Sequence, residues 1–192
     1  MTKGRLEAFS DGVLAIIITI MVLELKVPHG TQLADLRPLV PVFLSYVMSF
    51  IYIGIYWNNH HHMLHAAQRI DGSVLWANLH LLFWLSVVPF VTSWMGENHL
   101  APVPTACYGV VLLMAAVSYT ILQMRIIRAE GPGSVVRKAV GSDRKGMASL
   151  VLYLAAIPLA FVQPAIAGGI YVLVALIWLV PDRRIERALK EQ

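Results

Sequence analysis

The chain has 192 residues, 58% of them apolar and only 14% charged, with a formal net charge of +4 and a mean hydropathy of +0.68. Those proportions exclude a soluble globular domain and a disordered chain alike. The charges fall between long apolar runs, the pattern of a multi-span membrane protein, so the positive excess reads as membrane topology and not as nucleic-acid binding. The single cysteine, Cys107, lies inside an apolar run and excludes internal disulfides and cysteine-based metal sites.

The first predicted span, 6–25, belongs to the stretch Arg5 to Pro28. From Gly12 to Leu23 only Thr19 has a polar side chain. Ser10 and Asp11 come just before, and an ionisable group at that depth is costly enough that it should face protein or water. At about 100° per residue, Ile16, Thr19, Ile20 and Leu23 share one face, while Asp11 points roughly 140° away from Ile16 and Ser10 about 120° the other way. If the aliphatic stripe lines something, Ser10 and Asp11 brace the helix against its neighbours. A stripe that merely faces lipid or packs in the core remains open here. No cleavable signal is expected, because Glu24-Leu25-Lys26 follows the apolar run where a small-residue cleavage site would stand.

After the breakers Pro28 and Gly30, Pro38 is expected to open a second span, 38–67. Its apolar part ends at Trp57, and a polar turn, Asn58-Asn59-His60-His61-His62 with His65, emerges beyond it. Asp71 is a suitable N-cap for a third span, 73–95. The fourth covers 105–128, its apolar part ending near Met124. A basic connection, Arg125 to Gly146, reads as a solvated, headgroup-facing link. The fifth and sixth spans, 147–162 and 166–180, form a hairpin across Gln163-Pro164, with Pro158 expected to kink the fifth. The fold class is therefore all-α, one six-helix transmembrane unit over 1–192.

With an inner N-terminus, thirteen of the fifteen Lys and Arg fall on inner segments, and only Lys26 and Arg37 on outer ones. Basic residues are retained on the cytoplasmic side, so both termini are placed inside, in the cell (inner) membrane. No repeat of 20–50 residues is evident. Any central pathway must then come from several copies of the chain.

Chemistry is sparse. No phosphate loop, GxSxG, HExxH or catalytic carboxylate pair is present, so no enzyme is expected; the TVGYG filter of ordinary potassium channels is absent too. His60–His65 with His80 leave three readings open beside the plain one, that at least two of the five histidines are interfacial and solvated. They could ligate zinc or copper, although no carboxylate stands at ligand spacing. A helix-borne His pair could hold haem, as in a membrane redox protein. Or some of them, with Trp57 and Asn78, could pair with Arg5, Ser10 and Asp11 where three helices meet at their inner ends, which needs no cofactor. Small secondary transporters are a further alternative, but they usually break a helix near the midplane and the first span has no break.

Arg5-x-x-x-Phe9-Ser10-Asp11 at the start of the first span resembles the RxxxFSD signature of the transmembrane protein 175 family, potassium channels of endosomes and lysosomes with bacterial relatives. The likeness continues through Trp57 and the His-rich turn, Asp71, Leu75-Trp76-Ala77-Asn78-Leu79-His80 and Pro89-Phe90, covering about the first half of the chain. The resemblance implies a potassium-selective channel assembled as a homotetramer, the first helix lining the pore. It implies a hydrophobic constriction at Ile16, followed by Ile20 and Leu23, with selectivity from Ile16 and Thr19 and no cofactor beyond the permeant potassium ion, held only transiently there. Arg5, Phe9, Ser10, Asp11, Trp57, Asn78 and His80 map to a structural network, and of the adjacent histidines His61, on Trp57's face, is the expected member.

Overall fold

A computed structural model describes residues 2–141 and 143–179. Val180 and the basic residues Arg183, Arg184, Arg187 and Lys190, counted above, lie outside the described residues. The helices are α1 (Lys3–Leu23), α2 (Val40–Ala66), α3 (Gly72–Glu97), α4 (Pro102–Glu130), α5 (Val135–Val140), α6 (Arg144–Val162) and α7 (Pro164–Leu179), with 3-10 turns at Leu33–Leu39 and Gly131–Gly133. Five stretches are long and apolar enough to cross a membrane: α1, α2 with its preceding turn, α3, α4 with its following turn, and α6. The described part of α7 is 16 residues, about 24 Å at 1.5 Å per residue, shorter than a hydrocarbon core of about 30 Å.

Several helix starts differ from the expected span bounds, α1, α4 and α6 each beginning three residues early. Pro38 lies inside the 3-10 turn, and α2 opens at Val40 with Pro41 in its first turn, where a missing N–H costs nothing. Pro102 likewise starts α4 three residues ahead of Thr105. Asp71 does cap α3: its Oδ1 accepts the Val74 amide at 2.9 Å and the Ser73 hydroxyl at 2.7 Å. Those bonds, the amide foremost, hold its carboxyl below the usual aspartate range.

The basic connection is more structured than a solvated link. α4 runs on to Glu130, and Gly131 ends it at φ +76°, a left-handed conformation that glycine takes without penalty. Ser134 then caps α5 by accepting the Arg137 amide at 3.1 Å, and Val135 and Val136 are buried. Glu130 ties this corner down. Its carboxylate accepts the Gln68 amide of the α2–α3 turn at 2.7 Å and the Ser134 hydroxyl at 2.6 Å.

α3 is the spine of the bundle, packed against α1, α2 and α4; α6 and α7 form a hairpin against α4, and α7 also reaches α2. Hydroxyl bonds cross the apolar interior. Thr92 gives its proton to the Val88 carbonyl at 2.7 Å, so it accepts from Ser49 at 2.7 Å, which in turn accepts from Tyr108 at 2.9 Å. Tyr52 donates to the Tyr171 carbonyl at 2.5 Å, and Tyr171 to the Thr105 carbonyl at 3.0 Å. Inside a membrane such groups have no water to fall back on.

Gly109 makes room for this arrangement, because a Cβ there would run into the Tyr171 hydroxyl. Gly109→Ala is expected to displace the Tyr171 ring, break its bond to Thr105 and cost about 1–3 kcal/mol, read as a lower melting temperature in detergent. An unchanged melting temperature would mean that the slot has slack.

Candidate functional site on the first helix

α1 has two faces of different character. Leu6, Ser10, Leu14, Ile17 and Met21 are buried, spaced by three and four residues so that they form one stripe against α2 and α3. The opposite face carries Arg5, Phe9, Gly12, Ile16, Thr19, Ile20 and Leu23, all exposed. Ile16 is 59%, Ile20 42% and Leu23 80% accessible, so no other described element covers this face. Thr19 Oγ1 donates to the Ile16 carbonyl at 2.9 Å. With its proton committed, the hydroxyl has only lone pairs left to offer outward, which suits a cation.

The buried stripe contains one polar position, and it is anchored. Asn78 of α3, with 0% exposure, donates from Nδ2 to Ser10 Oγ at 2.9 Å, while Ser10 donates to the Leu6 carbonyl at 2.8 Å. Asn78 Oδ1 meets Nε2 of His60 at 2.7 Å. An amide oxygen can only accept, so the His60 proton sits on Nε2. One turn toward the outside of this core, Trp57 Nε1 donates to Asp11 Oδ1 at 3.0 Å. Among the described residues, the polar bonds from α1 side chains to neighbouring helices come from Lys3, which reaches the His65 carbonyl at 2.6 Å, and from Ser10 and Asp11. All lie in the first half of the helix.

The structure thus brings together Ser10, Asp11, Trp57 and Asn78 from three helices. It does not bring Arg5 or Phe9 into the group: both are exposed, and Arg5 has no ion pair among the described residues. The histidine in contact is His60, 2% exposed, not His61. His61 lies on the outer side of α2, stacked between Trp57 and His65 at 6.1 Å from each. The signal for His60 was the α2 core stripe: Ser49, Ile53, His60 and Leu64 are all buried and follow at steps of four, seven and four. His80 belongs elsewhere. It accepts from Trp84 Nε1 at 3.1 Å, and its Nδ1 lies 3.0 Å from Ser118 of α4. Because Ser118 donates to the Met114 carbonyl, Nδ1 must carry the His80 proton.

These bonds count against the metal and haem readings. Both nitrogens of His80 are engaged, and the His61 and His65 rings lie within 15° of parallel, so their in-plane lone pairs run side by side instead of converging. Among the described residues no group of three His, Cys, Asp or Glu could hold a metal ion.

A polytopic all-helical membrane protein with an uncovered aliphatic face on an anchored first helix is the class these features define. The family model described as endosomal/lysosomal potassium channel TMEM175 matches residues 5–89. A potassium channel of Chryseobacterium sp. (strain P1-3) is 59% identical over 191 residues, covering 100% of both chains. One from Chamaesiphon minutus is 31% identical over 190 residues, 90% of this chain and 91% of that one. The crystal structure of a lysosomal potassium-selective channel TMEM175 homologue from Chamaesiphon minutus superposes with a TM-score of 0.78 at 30% identity, covering 94% of this chain and 97% of that one. The chain belongs to the TMEM175 family of potassium channels. It is a multi-pass membrane protein whose named relatives are channels and not enzymes.

Proposed function

We propose that the protein conducts potassium ions down their gradient through a pore formed by four copies of α1 around a common axis. The chain then has six spans, α7 being the last, and both termini lie on the cytoplasmic side of the cell membrane. The observation that carries this reading is the uncovered stripe of Ile16, Thr19, Ile20 and Leu23 on a helix whose opposite face is locked to α3 through Ser10 and Asn78.

Four Ile16 side chains in a ring form the narrowest constriction, with Ile20 and Leu23 one and two turns further on. An aliphatic ring excludes water when tight and admits it when slightly dilated, so it gates by dewetting. Selectivity follows from hydration: potassium holds its waters less firmly than sodium and loses less on entering an apolar neck. The outward lone pairs of four Thr19 hydroxyls replace some of the shed water. No tightly bound metal is required, and Ser10, Asp11, Trp57, His60 and Asn78 orient α1 without touching the ion.

Purified protein in liposomes is expected to pass potassium along an imposed gradient, followed with a potassium-sensitive dye. Liposomes no leakier than empty ones, with the protein shown to be folded and inserted, would refute the reading.

A further inference from the structure

At the outer end of α1, on the flank of the stripe that faces α3, stands a carboxylate with no hydrogen bond or ion pair among the described residues. Glu24 follows the last residue of α1 at φ −75° and ψ −10°, still helical. Its carboxylate therefore stays about 40° from Ile20 on the helical wheel, just beyond the edge of the stripe and about 100° from Leu23. With Ile16 and Ile20 it lines a groove whose other wall is α3, ending at Glu97. Glu97 is neutralised locally: Lys26 Nζ lies 2.7 Å from its carboxylate, and that contact is the main reason the Lys26 ammonium is held above its ordinary pKa. Asp35, another acid in this part of the chain, accepts the Gln32 amide at 2.9 Å. Glu24 is exposed and has no hydrogen bond or ion pair among the described residues. Lys26 also feels the Glu24 carboxylate, more weakly than Glu97, and Glu24, Lys26 and Glu97 together carry one net negative charge.

We infer that Glu24 is the cation-supplying carboxylate of the outer mouth, setting how much potassium enters from that side. The inference rests on the proposal that α1 lines the pore. Four such carboxylates at the rim of a low-dielectric tube focus the field on its entrance and raise the local cation concentration. The other end of the stripe has the opposite charge. Arg5, about 20° from Ile16 on the wheel, is exposed and has no ion pair among the described residues. The two ends of the proposed pathway therefore carry opposite charges, Arg5 on the stripe and Glu24 on its flank, and at low salt this favours current entering from the Glu24 end.

The test is single-channel recording in neutral-lipid bilayers with symmetrical potassium at about 20 mM and about 1 M, where the Debye length shrinks to about 3 Å. Glu24→Gln is expected to cut the current entering from the outer side by about twofold or more at the lower concentration. It should leave outward current less affected and match wild type at the higher one. Glu24→Asp keeps the charge and should keep the current. An unchanged low-salt current in Glu24→Gln overturns the inference, as does an equal loss in both directions at both concentrations, which marks a structural defect. Ile16→Asn separates the two levels: if its selectivity changes while Glu24→Gln does nothing, the pore assignment survives and the role of Glu24 does not.

Discussion

In Ile16→Asn channels, the preference for potassium over sodium is expected to fall by about tenfold, equivalent to ~1.4 kcal/mol, with the bi-ionic reversal potential moving toward zero. Asparagine is similar to isoleucine in length but offers an amide that holds water at the ring, so a sodium ion no longer has to surrender its hydration shell to pass. The dry state of the neck is lost as well, so currents at rest should rise. Ile16→Val keeps the branched apolar surface and is expected to change selectivity little. Thr19, whose hydroxyl is already bonded to the Ile16 carbonyl, should shift its outward oxygen when residue 16 changes, so the two positions will not behave additively. A preserved potassium-to-sodium ratio in Ile16→Asn would remove Ile16 from the filter.

Asn78→Leu is expected to destabilise the protein by about 2 kcal/mol, the cost of leaving a buried donor unmet, and to lower the melting temperature by about 4–8 °C. Two groups lose their partner in this variant. Ser10 retains its bond to the Leu6 carbonyl, but the Nε2 proton of His60 is left unsatisfied in the core. His60→Ala should be comparably harmful, and the double variant should cost less than the sum because the two residues share one bond. His61→Ala is the informative contrast. Its ring stacks on the exposed side of α2, so its removal should stay within about 0.5 kcal/mol. Equal damage from the two histidine variants would contradict the arrangement around Asn78.

The contrast between these neighbours also marks where sequence reasoning fell short. The opposition of Ser10 to Ile16 on α1 was legible because a wheel needs only the order of residues along one helix. Asp71 as a cap was legible because its chemistry is local. The choice between His60 and His61 was not local. Both follow Trp57, and the decision depends on which face of α2 meets α3; the core stripe through Ser49 and Ile53 answers that, while proximity to Trp57 pointed the other way. His80 stands two residues from Asn78 on α3, yet two residues along a helix turn a side chain by about 200°, and it faces Ser118 on α4 instead. The folded corner at Glu130 escaped notice because its acid bonds a backbone amide 62 residues away, and no local pattern announces such a partner.

The placement of the α1 anchors has a mechanical consequence. The directional bonds at Lys3, Ser10 and Asp11 hold one end of the rod, whereas the stretch from Gly12 to Leu23 touches its neighbours through dispersion forces that tolerate small sliding. Leu23 sits twelve residues beyond Asp11, about 18 Å at 1.5 Å per residue, and Ile16 about 7.5 Å. A pivot of about 4° at the fastened end therefore swings Leu23 by about 1.3 Å but Ile16 by only about 0.5 Å. In a fourfold arrangement the outer rings would open widely while the innermost one barely loosens, so that access and discrimination are governed by separate amounts of a single lever stroke.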